Sequence, residues 1–348
     1  MSPLQALRAA ADGLAHHPHD HGWRDLYSLF SYGLRNSATR LCCILLNSYS
    51  ARPVSATHLL TILGIALKVE AADQFAHMAS KEPIVERLSV LENILMRRSF
   101  EISQVLLSRQ NSFTCARRFL VPRVILSAYF SQYSDGVRFA DLGTGLGVLP
   151  RQLNSRGQYE AFADDLMWPE GIPEFRDLPI ESAFGVDRGP MPDIEWVRAC
   201  YGPSEYYMAL YNELRASLND PQVKQAQVIY RELDLMDTPA LISFIRQHRI
   251  NAVNLTYVLY ELDADYRRQV IDVLIRELFA PSIVIVTEPR DELHREGCVV
   301  EVYINGSQEP ATLCFVSDGH FRGYVIPLDD YHDFVHDYPI SYQRSILG

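Results

Sequence analysis

Apolar residues recur at helical spacing through the first third of the chain. The segments 26–34 and 58–76 each carry one apolar stripe, and a third series follows Pro83, a residue that the first turn of a helix tolerates. The third series contains Ile84, Leu88, Leu91, Leu95, Ile102 and Leu106. The pattern predicts an all-α N-terminal domain over residues 23–115.

After Val137 the pattern changes to short β-rich runs that alternate with helical stretches such as 239–248 and 265–278. Such alternation indicates a parallel sheet with helices on both faces. The predicted strands are 137–140, 183–186, 227–230, 252–259 and 282–287.

Beyond Glu288 the pattern favours antiparallel strands. Residues 299–304 and 311–316 flank Asn305-Gly306, a dipeptide typical of tight hairpin turns, and 321–326 predicts a further strand. The predicted fold class is therefore α/β: a Rossmann-like, doubly wound, mostly parallel sheet with a C-terminal antiparallel hairpin. This domain is assigned to residues 116–348, after the all-α domain.

Residues 1–22 are rich in alanine and then in histidine, with His16, His17, His19 and His21 close together. Imidazoles bind zinc, but a second cluster of ligands that would close a metal site is missing from the sequence. We therefore expect a flexible His-rich tail and no metal.

Charge divides unevenly along the chain, whose net charge is −11. Residues 1–130 carry 14 Lys/Arg and 9 Asp/Glu, a net of +5, which leaves −16 for the remainder. An acidic C-terminal part disfavours a long phosphate-backbone footprint. The expected partner is a small molecule and not a nucleic acid.

The sequence has no apolar run near the roughly 20 residues of a membrane helix and no signal-peptide pattern at its N-terminus. Its six cysteines show neither a C-x-x-C pair nor zinc spacing. We expect reduced thiols in a cytoplasmic protein that does not bind membranes.

The strongest chemical signal is the stretch Asp141-Leu-Gly-Thr-Gly-Leu-Gly147, which follows a predicted strand and precedes a helical pattern. Glycines allow positive φ and a close approach of ligand to backbone, and a helix start offers N–H groups to polar atoms. In a dinucleotide fingerprint the third small residue lies three places after the second glycine. Here Val148 stands at that place, and Gly147 comes one residue early.

The pattern D-x-G-x-G-x-G resembles the first motif of class I S-adenosylmethionine (SAM) methyltransferases. The resemblance covers about residues 120–330, and five parallel strands followed by an antiparallel pair is the order expected of that superfamily. It implies that Asp141, Gly143, Thr144, Gly145 and Gly147 bind the cofactor, with the glycine turn against its methionine part.

A carboxylate at the end of the second strand usually holds a ribose diol, because it accepts from both hydroxyls. Asp187 ends the better strand but requires an insertion over about residues 157–181, rich in Pro, Asp and Glu, within which 167–175 is predicted to be loop. Asp164 and Asp165 lie at the customary distance of about 20 residues past the glycine turn. Asp187 is favoured, and the alternative stays open.

The third strand ends in Arg231-Glu-Leu-Asp-Leu-Met-Asp237. By the resemblance, Asp234 accepts from the adenine amino group and Leu235 supplies the backbone N–H beside it. Asp237, before Thr238 and Pro239, is predicted to be the N-cap of the next helix.

The fourth strand faces the reacting methyl group in this architecture, so the resemblance places Tyr257, Tyr260 and Glu261 nearest the chemistry. Aromatic faces there suit a sulfonium cation. The candidate general bases, among which the sequence does not choose, are Glu288, His294, His320, His332 and His336.

Two further features have competing interpretations. Arg117 and Arg118 suit a substrate or cofactor carboxylate, but a solvated helix face is the commoner outcome for paired arginines. His332 and His336 lie at i, i+4, which suits a metal as well as an acidic solvated helix.

The sequence thus predicts a SAM-dependent methyltransferase that acts on oxygen or nitrogen of a small molecule, with the helical prefix as a lid, a homodimer interface or both. The alternative is a SAM- or ligand-binding protein without methyl transfer. A nucleotide-dependent oxidoreductase is disfavoured by the register of Gly147. Residues 185–237 also resemble, faintly, an uncharacterised bacterial family.

Overall fold

The computed structural model describes residues 2–16, 21–52, 54–262, 264–290, 297–335 and 340–341. The described chain divides into two compact units. The first contains residues 1–113, 193–212 and 261–263, and the second contains 114–192, 213–260 and 264–348.

The first unit is helical, as its apolar periodicity predicts. Its helices in chain order are α1 (Pro3–Leu14), α2 (His21–Arg35), α3 (Thr39–Ala51), α4 (Ala56–Glu70), α5 (Ala72–Met78), α6 (Ile84–Arg97) and α7 (Ser99–Ser108).

The expectation of a flexible tail over residues 1–22 is wrong for α1. Ser2 and Gln5 form a capping box, and Leu7, Ala11 and Leu14 are buried on one face. The helix therefore belongs to the packed unit, while residues 17–20 lie outside the described part of the chain.

Residues 193–212 fold with the helical unit, although the sequence assigned them to the α/β domain. Trp196 Nε1 donates to the Gln110 carbonyl at 2.9 Å, and Lys68 Nζ donates to the Tyr201 carbonyl at 2.5 Å. The segment contains α11 (Ile194–Cys200) and the start of α12 (Glu205–Asn219). These contacts join residues distant in sequence, which local periodicity does not register.

The second unit contains a nine-stranded sheet among the described residues, in the order β5-β4-β1-β6-β7-β8-β9-β10-β2. The strands are β1 (Val137–Leu142), β2 (Leu166–Met167), β3 (Ile172–Pro173), β4 (Ile180–Asp187), β5 (Ile229–Glu232), β6 (Ala252–Thr256), β7 (Ile283–Pro289), β8 (Cys298–Ile304), β9 (Ala311–Val316), β10 (Gly323–Pro327) and β11 (Ile340–Ser341), of which β3 and β11 form a separate pair.

The helices of this unit are α8 (Leu120–Phe130), α9 (Val148–Gln152), α10 (Arg156–Ala163), the end of α12, α13 (Pro221–Gln225), α14 (Thr238–His248), α15 (Ala264–Glu277) and α16 (Asp329–Val335). Strands β5, β4, β1, β6 and β7 are parallel. Strands β7, β8, β9 and β10 pair antiparallel in succession, and the two-residue β2 pairs with β10 in parallel. The predicted fold class and its C-terminal hairpin are confirmed.

The insertion before β4 contains a helix, because residues 156–163 form α10 with Ser155 as its N-cap. The segment 167–175, predicted to be loop, contains no helix, although β2 ends and the two-residue β3 lies in it. The strand predicted over 252–259 ends at Thr256 because a carboxylate binds the backbone beyond it, as described below.

None of the helices among the described residues is both long and apolar enough to cross a membrane.

Candidate functional site

The second unit has a topological switch point beside β1. From β1 the chain proceeds to β4 and β5 on one side, and then to β6 and β7 on the other. In open α/β sheets, ligands bind outside the carboxyl ends of the strands at such a point. The residues that follow β1, β4, β5 and β6 therefore form the candidate site.

The glycine turn follows β1 directly and depends on left-handed backbone conformations. Gly143, Gly145 and Gly147 have φ of 76°, 56° and 63°. The N–H groups of Gly143 and Thr144 both donate to the Val186 carbonyl, at 2.8 and 3.0 Å. The turn is thus anchored to the end of β4 by its own backbone.

Two of these glycines also leave room for close neighbours. A Cβ on Gly143 would lie 2.3 Å from Val258 Cγ2, and one on Gly145 would lie 2.9 Å from Thr114 Oγ1. Any side chain at Gly143 would collide with Val258, which lies two residues past the end of β6. The sequence therefore needs glycine here for packing as well as for conformation.

Asp141 supports the turn from below. Its Oδ2 accepts from Thr144 Oγ1 at 2.6 Å, and its Oδ1 accepts from Asn254 Nδ2 at 2.7 Å. Burial raises the pKa of Asp141 to about 6, against the two hydrogen bonds and together with the nearby charge of Asp187. The contacts of Asp141 make it a brace between β1, the turn and β6.

Asp187 lies at the end of β4 and contacts the glycine turn. Its Oδ2 accepts from the Gly145 N–H at 2.9 Å, and its Oδ1 accepts from the Arg188 N–H at 2.8 Å. Asp164 and Asp165 instead follow a helix, and Asp165 pairs with Arg117 at 2.7 Å. Asp187 therefore contacts the glycine turn, whereas Asp165 forms an ion pair with Arg117.

The end of β5 is tied to the end of β4 by Arg188. Its Nε lies 3.0 Å from Asp234 Oδ2, while Asp234 Oδ1 accepts from the Met236 N–H at 3.0 Å. Leu235 lies in the turn between these residues and is half-buried. Asp237 accepts from the Ala240 N–H and caps α14, as predicted.

Tyr257 follows β6 with a φ of 58°, which is unusual for a residue other than glycine. Its N–H donates to the Thr287 carbonyl at 2.8 Å, and the Arg118 guanidinium lies 4.2 Å from its ring centroid. Removal from water raises the pKa of Tyr257 well above its ordinary value. The phenol therefore stays neutral and is unsuited to act as a base.

Glu288, at the end of β7, binds the backbone that follows Tyr257. Its carboxylate accepts from the N–H groups of Val258, Leu259 and Tyr260 at 3.0, 2.8 and 2.9 Å. Burial raises the pKa of Glu288 to about 7, although these three hydrogen bonds oppose the shift. The backbone bound by this carboxylate forms a single 3₁₀ turn over Leu259–Glu261. The ring centroids of Tyr260 and Tyr257 lie 6.0 Å apart.

Glu261 belongs to the first unit. Its Oε1 lies 3.0 Å from Nδ1 of His58, whose side chain is fully buried, and its carbonyl accepts from the Ser55 N–H at 3.2 Å. The carboxylate predicted to be catalytic is thus paired with a helix of the first unit. A role for it in the chemistry stays a prediction.

The candidate histidines separate into different settings. His320 Nδ1 lies 3.3 Å from Asp318 Oδ1 in the connection between β9 and β10, and His332 Nδ1 lies 3.1 Å from Glu170 Oε1 on the surface. His294 and His336 lie outside the described residues. Within the described ranges, His, Cys, Asp and Glu form no group of three or more that suits a metal ion.

The sequence patterns do not identify the contacts of Asn254 and Arg188, or the backbone hydrogen bonds of Glu288. The position of Asn254, between Val253 and Leu255 in a buried strand, could have indicated a structural role, because a buried amide needs hydrogen-bond partners. The contacts of Arg188 and Glu288 join different strands, and a single sequence does not encode them locally.

The second unit is thus a Rossmann-like α/β unit with a topological switch point beside β1. No family model and no curated protein sequence matches the chain.

Two solved structures match the chain at low similarity. One is an O-methyltransferase family protein from Burkholderia thailandensis, at 12% identity and a TM-score of 0.31, covering 81% of this chain and 67% of that one. The other is the CurJ carbon methyltransferase, at 12% identity and a TM-score of 0.33, covering 83% of this chain and 72% of that one.

Proposed function

We propose that this protein is a SAM-dependent methyltransferase that acts on oxygen or nitrogen of a small molecule. One observation carries the proposal: a D-x-G-x-G-x-G turn at the switch point, with all three glycines at positive φ and with Asp187 of the adjacent strand bonded to Gly145. This is the arrangement that the resemblance to class I methyltransferases implies.

The residues present fit such a cofactor. The glycine turn exposes backbone to the methionine part, Asp187 offers a carboxylate for the ribose diol, and Asp234 with Leu235 suits the adenine edge. Gly185 on β4 lets the glycine turn pack close to that strand, since a Cβ there would lie 2.9 Å from Thr144 Cγ2. When bound, the cofactor supplies an electrophilic methyl group on a sulfonium.

The polar groups near the end of β6 favour catalysis by positioning. Tyr257 stays neutral, and Glu288 is bound by three backbone N–H groups. An in-line displacement needs mainly a well-placed nucleophile, so the expected role of Tyr257 and Tyr260 is to form an aromatic wall beside the methyl group.

The same contacts favour a second candidate, a SAM-binding protein without methyl transfer. The carboxylates of Glu261 and Glu288 have structural partners, namely His58 and three backbone N–H groups, which occupy oxygens that a general base would use. Such a protein would bind the cofactor at the same strand ends and act through a partner.

Two further parts of the proposal are a homodimer formed through the helical unit and a cytoplasmic location.

Calorimetric titration of the full chain with SAM, S-adenosylhomocysteine and NAD tests both candidates. We expect saturable binding of the two sulfur compounds and none of NAD. Absence of heat with either sulfur compound would exclude both candidates.

Transfer of a labelled methyl group to a library of phenols, carboxylic acids and amines then separates the two candidates. Transfer supports the first candidate, and binding without transfer to any compound supports the second.

A further inference from the structure

We propose that Arg118 binds the carboxylate of the methionine part of the cofactor. The inference rests on the proposed function and assigns a residue that the D-x-G-x-G-x-G motif does not contain. It separates two adjacent arginines for which the sequence offered the same roles.

Residues 114–118 run along the carboxyl edge of the sheet. Thr114 Oγ1 lies against Gly145, and Cys115 Sγ donates to the His320 carbonyl at 3.3 Å. Arg118 Nε donates to the Gly319 carbonyl at 3.3 Å. The segment therefore leads from the glycine turn to the connection between β9 and β10.

The same edge closes on its other side through the end of β6. The space left by Gly319 receives the hydroxyl of Tyr257, since a Cβ on Gly319 would lie 2.1 Å from it, and Val258 fills the space beside Gly143. The glycine turn is therefore connected to Arg118 on two sides: through Val258 and Tyr257 from Gly143, and through Thr114 from Gly145.

The position of Arg118 orders its guanidinium. Its centre lies 4.2 Å from the Tyr257 ring centroid, and the Nε–H is bonded to Gly319. The group is half-buried. A planar guanidinium held in this way directs its N–H donors in one plane, a geometry that matches a carboxylate.

Arg117 has a different environment. Nε and one Nη donate to the two oxygens of Glu213, both at 2.9 Å, and the same Nη lies 2.7 Å from Asp165. Burial opposes its charge, but these carboxylates raise the pKa of Arg117 above its ordinary value. Its charge is compensated inside the protein, so Arg117 is a structural residue.

The charges along the edge also favour Arg118 as the anion site. The ends of β1, β4 and β5 carry Asp141, Asp187 and Asp234, and Arg188 is paired with Asp234. A ligand carboxylate near these acids would be repelled, whereas near Arg118 it meets an ordered cation. The carboxylate of the ligand would accordingly point away from Asp187.

The test compares two ligands that differ by one carboxylate: S-adenosylhomocysteine and its decarboxylated analogue, S-adenosyl-3-thiopropylamine. Both are titrated calorimetrically into the unchanged protein, Arg118→Met, Arg118→Lys and the control Arg268→Met. Arg268 lies on α15 with its side chain 75% exposed, so its replacement makes the same charge change at the surface. Thermal melting checks that each variant is folded.

We expect Arg118→Met to weaken S-adenosylhomocysteine binding roughly tenfold to a hundredfold, with the analogue unaffected. Arg118→Lys should recover part of the loss, and Arg268→Met should change neither affinity. An equal loss of affinity for both ligands, or no loss for either, would overturn the assignment of Arg118. Binding by the unchanged protein would still support the proposed function. Absence of binding by the unchanged protein would instead refute the proposed function itself.

Discussion

The ends of β1 and β6 are adjacent in the sheet but are built in opposite ways. After β1 the backbone takes left-handed conformations through three glycines, without side chains at those positions. After β6 a tyrosine takes such a conformation, and Glu288 holds the next three N–H groups. One strand end exposes backbone, and the other is filled by side chains.

The two strand ends suit different roles: the glycine turn after β1 can hold a ligand, and the side chains after β6 can form a wall beside it. A turn of glycines admits the close approach of a ligand to the backbone. A strand end whose backbone donates to a carboxylate has a fixed shape. The β1 end is therefore suited to hold a ligand, and the β6 end to limit its position.

The largest effect is expected from Gly143→Ala. The new Cβ would meet Val258 at 2.3 Å with φ at 76°, so overpacking and left-handed strain should together destabilise the fold by about 4 kcal/mol. Urea denaturation measures the loss. Gly189→Ala is the matched control, because a Cβ there has nothing within 4 Å. Equal stability of the two variants would contradict a tight contact between the strand ends.

Glu288→Ala should destabilise the fold by about 3 kcal/mol, because three backbone N–H groups lose their acceptor. Glu288→Gln, which keeps one carbonyl acceptor, should lose less. Denaturation at constant pH compares the two. If both variants are as stable as the unchanged protein, the wall at β6 is not held by this carboxylate.

Asp187→Asn should weaken S-adenosylhomocysteine binding roughly tenfold to a hundredfold, since the amide replaces an acceptor of two hydroxyls. Calorimetry measures the affinity. Asp164→Asn, which alters the competing acid, should have no effect. The reverse order of effects would place the ribose beside α10.

The stability contributed by Asp141 should depend on pH. Its folded pKa of about 6 lies above the unfolded value of 3.8, so the protonated form is favoured in the folded state, and the contribution falls as the pH rises through 6. Relative to Asp141→Asn, the protein should lose about 2 kcal/mol between about pH 4.5 and 7.5. Denaturation of both across this range measures the difference, and a difference that grows with pH would show that Asp141 is not a buried acid.

The smallest effect is expected from Glu261→Gln. Because the carboxylate is paired with His58 in the helical unit, S-adenosylhomocysteine affinity should change less than about twofold. A tenfold loss in calorimetry would show that Glu261 contacts the ligand and that the β6 end takes part in binding.

The sequence predicted what local patterns encode. The alternating periodicity predicts the parallel sheet, and the glycine spacing locates the turn after β1. Asp237 was read correctly as a cap because capping is a local hydrogen bond.

What failed depends on contacts between distant residues. Glu288 shortens β6 from a neighbouring strand, residues 193–212 join the helical unit through Lys68 and Gln110, and α1 is ordered by burial of its apolar face. The different environments of Arg117 and Arg118 have no local signature, because their partners Glu213 and Tyr257 lie far along the chain. The same holds for the pairing of Glu261 with His58.

The most direct test of the central claim is a crystal structure of the full chain with S-adenosylhomocysteine. We predict that the ribose hydroxyls lie within hydrogen-bond distance of Asp187, with the methionine part against Gly143–Gly147 and the adenine beside Asp234. A ligand bound away from the carboxyl ends of β1 and β4, or with its ribose on Asp164 or Asp165, would contradict it.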